Sequence, residues 1–131
     1  MDSLQVRTGQ VSLHILDDDG EERGIFRFNP EDIECAKRLV ELQSIISQKN
    51  EEFIQRNKEC TTAEERLALL SDTVSYYRSI IDDCFGIGTS DIVFGNANTL
   101  SMFTDFIDGI TPYYAKASKE RTAKYKKPAK K

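Results

Sequence analysis

The sequence predicts a mainly α-helical protein, in which an N-terminal β-hairpin packs on a small bundle of three main helices. Two short segments near the N-terminus alternate apolar and polar residues, which is typical of half-buried strands. Three longer segments repeat apolar residues at steps of three and four, which indicates amphipathic helices. A glycine-containing elbow between the second and third helices predicts a short helical turn. A disordered, basic C-terminal tail is expected after the last helix.

The length of 131 residues suits one domain with flexible ends. We expect a flexible N-terminus at residues 1–9, a single helical domain with its hairpin at residues 10–115, and a basic flexible tail at residues 116–131. Eight Lys or Arg and one Glu give that tail a net charge of +7, so residues 1–115 carry −11 of the total of −4. The chain is therefore an acidic body with a basic end.

Composition excludes several classes of protein. No apolar run approaches the ~20 residues that a membrane-spanning helix needs, and the N-terminus lacks a signal-peptide pattern. We therefore expect a cytosolic protein that makes no membrane contact. The cysteines Cys35, Cys60 and Cys84 are far apart in the sequence, and the single histidine, His14, is distant from all three. Because a structural zinc site needs about four ligands at close spacing, we expect reduced thiols and no metal or cofactor.

A β-hairpin is predicted from about Val11 to Phe28. Apolar and polar residues alternate on both sides of Asp17–Gly20, whose residue types favour a tight turn. The alternation places Phe26 and Phe28 on one face. Because a two-stranded sheet is only marginally stable in water, the hairpin is expected to pack on a helix or to add to a partner's strand.

The acidic turn invites comparison with a calcium-binding loop. Such a loop needs glycine at its sixth position and glutamate at its twelfth. Counted from Asp17, those positions hold Glu22 and Phe28. The pattern fails, and a solvated turn is expected instead.

The first helix is predicted to begin at Asn29-Pro30 and to end near Lys58. Asparagine can cap a helix, proline fits the first helical position, and the two acids that follow favour the positive end of the helix dipole. The apolar stripe is narrow and interrupted, and its members are Leu39, Leu42, Ile46 and Phe53. So narrow a stripe is typical of a bundle or coiled-coil arm.

The second helix is predicted to start at a capping box, formed either by Thr61 with Glu64 or by Thr62 with Glu65. It is expected to end where Gly86 takes a left-handed conformation. Its apolar stripe has no break and consists of Leu67, Leu70, Val74, Tyr77, Ile81 and Cys84. Because the link to the first helix is short, the two helices are expected to lie antiparallel.

The third helix follows a single turn over Ile92–Phe94, which Ser90-Asp91 is expected to cap and Gly95 to end. Asn98 is expected to cap the third helix. Pro112 should kink or end it, because proline clashes with the carbonyl four residues earlier. The core stripe of this helix is predicted to contain Leu100, Phe103, Phe106, Ile107 and Ile110.

We find no group of residues suited to catalysis. Gly86-Ile87-Gly88 does not match a dinucleotide-binding loop, since Asp91 stands where the third glycine is needed and a helix precedes the loop. The paired acids Asp105 and Asp108 have no histidine nearby in the sequence, and no Ser-His-Asp or Cys-His arrangement is present. We therefore expect no enzymatic activity and no small-molecule substrate.

One alternative function rests on the basic tail. Tyr113, Tyr114 and Tyr125 lie among its lysines, and this combination could stack on bases and neutralise phosphates. The alternative is a small nucleic-acid-associated protein that acts through residues 113–131. We do not favour it, because the acidic body would repel nucleic acid.

The elbow and the third helix resemble a family of tail assembly chaperones from long-tailed bacteriophages and prophages of Gram-positive bacteria. The resemblance rests on the loop from Ile81 to Gly95, which reads I-D-x-x-F-G-x-G-T-S-x-x-x-F-G, and on the aromatic helix from Leu100 through Ile110-Thr111-Pro112. It covers about residues 25–115.

The resemblance implies a non-enzymatic protein that binds the tape-measure protein and keeps it soluble while the tail tube polymerises around it. It implies a location in the cytoplasm of the bacterial host and absence from the mature virion. The tail tube protein is a second candidate partner, and self-association stays open.

A chaperone of this kind needs an apolar groove for helical client segments. The best candidates to line it are Phe94, Met102, Phe103 and Phe106. The same residues also suit the protein's own core, which is the expected place of at least Phe103 and Phe106.

Overall fold

In a computed structural model, the backbone is described for residues 1–126 and the side chains for residues 1–123. The elements are strands β1 (Val11–Leu16) and β2 (Glu22–Phe28), followed by helices α1 (Ile33–Glu59), α2 (Ala63–Phe85), α3 (Thr89–Phe94) and α4 (Ser101–Lys126). This order confirms the predicted mainly helical fold, with its N-terminal hairpin and its short helix before the last main one. Among the described residues, no helix has the length and apolar character to span a membrane.

The hairpin forms as predicted. β1 and β2 pair antiparallel, with Leu13 opposite Phe26. Asp17 organises the turn, because its Oδ1 accepts hydrogen bonds from the backbone N–H groups of Asp19 and Glu21, both at 2.9 Å. This is the turn chemistry that aspartate supplies through its short side chain.

Helix α1 begins later than predicted. Its cap is Asp32, whose Oδ1 accepts from the N–H of Glu34 at 2.8 Å, and the prediction of Asn29 as the cap is wrong. Asn29 instead anchors the preceding turn, because its Oδ1 accepts from the N–H of Glu31 and its Nδ2 donates to the carbonyl of Thr8. Both residue types cap well, and the Asn29 Oδ1 also accepts from the N–H of Asp32 within the turn before the helix.

The two long helices α1 and α2 form the predicted helical hairpin. The capping box at the start of α2 is Thr62 with Glu65, the second of the two predicted pairs. Hydrogen bonds from Thr61 and Thr62 lower the pKa of the Glu65 carboxyl. Further along, the Tyr77 hydroxyl donates to the carbonyl of Ile46 at 3.4 Å, which links the two helices.

The apolar stripe predicted for α2 is wrong at its N-terminal end. Leu67 is 64% exposed, whereas Leu69 and Thr73 are buried. Thr73 can be buried because its hydroxyl donates to the carbonyl of Leu69 at 2.8 Å. The buried residues in the first turns of α2 are therefore not those of the predicted apolar stripe.

Helix α4 differs most from the prediction. Asn98 does not cap it, since the helix begins at Ser101 and the Asn98 amide donates to the carbonyl of Asn96. Pro112 lies inside the helix and does not end it. The carbonyl of Asp108 loses its usual donor there, but both residues are on the exposed side, where water can hydrate it.

The boundary predicted for the basic tail is consequently wrong. Residues 116–126 continue α4, and Tyr114 and Ala117 extend its buried stripe by steps of four and three from Ile110. The Arg121 guanidinium donates to the carbonyl of Glu31 at 3.2 Å, which ties the end of α4 to the segment before α1. Residues 127–131 of the predicted tail lie outside the described part of the chain.

The core is an aromatic cluster where the hairpin, α2, α3 and α4 meet. Phe26 of the hairpin contacts Phe85 of α2 and Phe106 of α4, each edge to face with ring centroids 5.2 Å apart. Such pairs add ~0.5–1.5 kcal/mol beyond the burial of their area. These contacts are the packing on helices that the hairpin was predicted to need.

Replacing Pro112 by alanine is expected to raise the free energy of unfolding by roughly 1–3 kcal/mol, because proline in a helix interior costs ~3 kcal/mol relative to alanine. Urea unfolding followed by circular dichroism measures the change. The matched control is Lys116→Ala on the exposed side of the same helix, expected to stay within about 0.5 kcal/mol of wild type. If the Pro112→Ala variant were less stable than wild type, the claim that α4 continues through residue 112 would be contradicted.

Candidate functional site

The elbow, defined here as residues 82–97, turns the chain from α2 into α3 and on toward α4. Its glycines have positive φ angles, +119° at Gly86, +94° at Gly88 and +58° at Gly95. Gly86 ends α2 as predicted, but with ψ 149° it does not take the predicted left-handed conformation, which Gly88 has instead. Side chains with a Cβ rarely adopt these angles, so the glycines set the path of the chain.

Asp82 holds the start of α3. Its Oδ1 accepts a hydrogen bond from the N–H of Ser90 at 2.8 Å. The helix has no side-chain cap of its own, because Gly88 stands at the cap position, and the prediction of Ser90-Asp91 as the cap is wrong. The acceptor that α3 needs comes from the preceding helix instead.

Arg78 holds the end of α3. Its side chain is only 17% exposed, and its Nη2 donates to the carbonyls of Gly95 at 2.8 Å and Ala97 at 2.5 Å. The same guanidinium lies 5.7 Å from the centre of the Phe94 ring. The planar fork of arginine therefore satisfies carbonyls that the end of a short helix leaves unpaired.

Sequence reasoning missed Arg78, because one arginine on an amphipathic helix is usually solvated. A usable signal was its position one helical turn before Asp82, which puts both side chains on the same face beside the elbow. The elbow is thus held from α2 at both ends of α3.

Arg23 fastens the hairpin to the same place. Its Nη1 donates to the carbonyl of Val93 at 2.9 Å, and its guanidinium carbon would lie 3.2 Å from a Cβ added at Gly95. A side chain at Gly95 would crowd this arginine in addition to straining the backbone. Hairpin and elbow therefore form one rigid wall.

Beside this wall lies an open groove of about 650 Å³, here called the hairpin–α4 groove. The end of β1, the hairpin turn, α3 and the first turns of α4 line it. Its apolar lining residues are Ile15, Leu16, Val93, Phe94, Ala97, Met102 and Phe106, its charged ones are Asp18, Arg23 and Asp105, and His14 also lines it.

The residues predicted to bind a partner are divided between core and groove. Phe103 is 1% exposed and packs between Tyr77 and Phe94, so it is a core residue and does not line the groove. Phe94 and Phe106 are buried and form the floor, whereas Met102 keeps part of its side chain accessible. The aromatic residues were selected by size, which favours the core as much as a surface.

The structure adds Leu16, which sequence reasoning did not select. It is the last residue of β1, is 58% exposed, and lines the groove opposite α4. Burial alternates along β1, with Val11, Leu13 and Ile15 half-buried and Ser12, His14 and Leu16 exposed. Leu16 therefore follows the alternation, although the register of the hairpin shifts between Ile15 and Leu16.

Two buried titratable groups lie outside the groove. Burial raises the pKa of the Cys84 thiol to about 11, and it raises the pKa of Tyr114 well above its usual value. The Tyr114 hydroxyl has no hydrogen-bond partner among the described residues. The three cysteines form no disulfide, and in the described part of the chain no three His, Cys, Asp or Glu residues are grouped to hold a metal ion.

The tyrosines of the nucleic-acid hypothesis are mostly engaged in packing. Tyr114 is buried and stacks on Phe28 at 5.7 Å, and Tyr113 meets the same ring edge to face at 5.6 Å. The side chain of Tyr125 lies outside the described ones. Two of the three rings therefore contact the protein's own hairpin.

Removing the Arg78 guanidinium is expected to destabilise the fold. Arg78→Met should lower the free energy of unfolding by about 1–3 kcal/mol, since it leaves the partly buried carbonyl of Gly95 and the more exposed one of Ala97 without this donor. Arg78→Lys should retain only part of the stability that Arg78 provides, because an ammonium group lacks the planar fork of the guanidinium. Urea unfolding measures both, with Arg27→Met on the exposed face of β2 as control. Wild-type stability in Arg78→Met would contradict the role given to this side chain.

Alkaline pH is expected to destabilise the protein through Cys84 and Tyr114. The unfolded chain releases the thiol proton near the ordinary cysteine pKa of 9.0, whereas the folded chain keeps it until about 11. The unfolded state then binds fewer protons, so the free energy of unfolding falls as pH rises through this range, by at most ~1.4 kcal/mol per pH unit and group.

Urea unfolding at several pH values measures this slope. The double variant Cys84→Ala/Tyr114→Phe should flatten it, whereas Cys60→Ala should leave it unchanged. If stability fell equally steeply with pH in all of these proteins, Cys84 and Tyr114 would not be the cause of the alkaline destabilisation.

Comparison with known proteins identifies a family. Neither the curated proteins nor the solved structures yielded a match to this chain. A family model described as "Family of unknown function (DUF6673)" matches residues 22–131, which include β2 and all four helices. Because the match covers most of the chain, the protein belongs to the DUF6673 family.

Proposed function

We propose that this protein is a non-enzymatic tail assembly chaperone of a long-tailed bacteriophage or prophage. It binds the tape-measure protein in the host cytoplasm, keeps it soluble while the tail tube assembles, and is absent from the finished virion. The sequence support is the resemblance of Ile81–Gly95 and of the following aromatic helix to that family. The structural observation that carries the proposal is the hairpin–α4 groove.

The groove has the surface chemistry that a helical client needs. Leu16 and Met102 offer accessible apolar side chains above a floor of Phe94 and Phe106. An unbranched methionine adapts its shape to different partners. A tape-measure protein presents many unlike apolar seams, so a tolerant groove suits it better than one fitted to a single sequence.

The groove is also preformed. Arg23 and Arg78 fix its α3 wall through hydrogen bonds to the carbonyls of Val93 and Gly95. A client segment that binds there orders little of the chaperone, which keeps the entropic cost of binding low.

Its size favours release. A groove of about 650 Å³ has room for only a short client segment. Several chaperones would therefore coat one long client, each through a small contact. Growing tube subunits could then displace them one at a time.

The test is co-expression with the tape-measure protein encoded near this gene. Wild-type protein should raise the recovery of soluble client and co-purify with it. Leu16→Asp/Met102→Asp should lower that recovery by about tenfold or more, because a buried carboxylate without a partner costs more than the ~1.4 kcal/mol of a tenfold change. Ile54→Asp is the matched control, since Ile54 is exposed on α1 and does not line the groove.

Two outcomes would count against the proposal. Failure of the wild-type protein to solubilise or bind the client would overturn the function. If a Leu16→Asp/Met102→Asp variant, shown by circular dichroism to be folded, recovered the client fully, the groove would not be the client-binding site.

A further inference from the structure

We infer that the hairpin–α4 groove selects cationic amphipathic segments, in which apolar anchors are flanked by lysine or arginine. This inference rests on the proposed function, because it names the chemistry of the client segment that the same groove takes. The evidence for this inference is the charge on the rim of the groove.

Two carboxylates on the rim have no partner among the side chains that the structure describes. Asp18 in the hairpin turn and Asp105 on α4 are exposed and line the groove from opposite sides. Neither side chain makes a hydrogen bond or an ion pair with another described residue. Both are therefore available to a cation that arrives with the ligand.

The basic groups of the rim bind to the protein itself. Arg23 donates to the carbonyl of Val93 at 2.9 Å, and the His14 ring is hydrogen-bonded to the Glu22 carboxylate. A bond to a neutral carbonyl does not cancel the charge of Arg23, so two carboxylates and one guanidinium give the groove a net charge of −1.

The surroundings strengthen this field. The hairpin turn holds five acids between Asp17 and Glu22, and several lie within about one Debye length of Asp18, which is ~8 Å at physiological salt. Residues 1–115 as a whole carry −11. An approaching cationic segment is attracted, and a second acidic body is repelled.

Helix α4 leads away from the groove. Asp105 lies near the start of α4, and the 21 residues from there to Lys126 place the end of the helix ~32 Å away. The occupant that we propose is a segment of another protein.

The test compares two synthetic helical peptides that share apolar anchors and differ only in lysine or glutamate flanks. Fluorescence anisotropy measures their binding to the full chain at low and moderate salt. The lysine peptide should bind roughly five- to tenfold more tightly at low salt, and salt should shrink the difference.

The variant Asp18→Asn/Asp105→Asn should lose most of this preference. The control Glu51→Gln/Glu120→Gln removes the same charge from exposed sites outside the groove and should keep it. The inference would be overturned if both peptides bound equally, if the glutamate peptide bound more tightly, or if neither bound. Equal losses of the preference in both variants would overturn it as well. Equally tight binding of a peptide of residues 116–131 would overturn the assignment to another protein.

Co-expression with the tape-measure protein separates this inference from the proposed function. Full client recovery with Asp18→Asn/Asp105→Asn, together with loss in Leu16→Asp/Met102→Asp, would leave the chaperone function standing and overturn the charge selection. A clear lysine preference without any recovery of the client would support the charge selection and overturn the tape-measure role.

Discussion

The hydrogen bonds of Arg78 to the carbonyls after α3 are the contact on which the rest of the structure depends. A helix of six residues is far below the ~12–15 at which helices become even marginally stable alone. Arg78 and Asp82 supply from α2 what α3 lacks at its two ends. Once α3 is fixed, Arg23 can join the hairpin to it, and the groove has a wall. Hydrogen bonds of this kind are stronger than neutral ones because the donor is ionised.

The aromatic core extends this constraint to the remaining elements. Phe94 of α3 contacts both Phe103 and Phe106 of α4, and Phe106 contacts Phe26 of the hairpin. One continuous set of rings therefore connects parts of the chain that are up to 80 residues apart. The outer half of the α1–α2 hairpin has no comparable core, since Leu69 is the only buried apolar residue between Leu42 and Val74. Local opening should start there, away from the groove.

The sequence was most informative where structure depends on neighbouring residues. The Thr62–Glu65 capping box and the Asp17 turn are decided within five residues, and both were predictable. Asn29 and Asp32 are both suited to cap α1, and α4 continues through Pro112, so the local pattern did not decide these two points. In the groove, Met102 was predicted from the sequence, and the exposure of Leu16 agrees with the alternation along β1. The engagement of Arg78 depends on carbonyls that the fold brings to it from the segment after α3.

The elbow motif and the groove consequently have different roles. The motif residues act inside the molecule. Asp82 caps α3, Gly86 turns the chain, and the Phe94 ring packs in the core. Gly95 lies close to the Arg23 side chain. The groove offers a partner mostly residues outside that motif, on the hairpin and the first turns of α4. Because Leu16, Asp18 and Asp105 are exposed, changes there alter the surface without opening the core. A fold built in this way can change the surface of its groove while its scaffold stays the same, which is what adapting one fold to different partners requires.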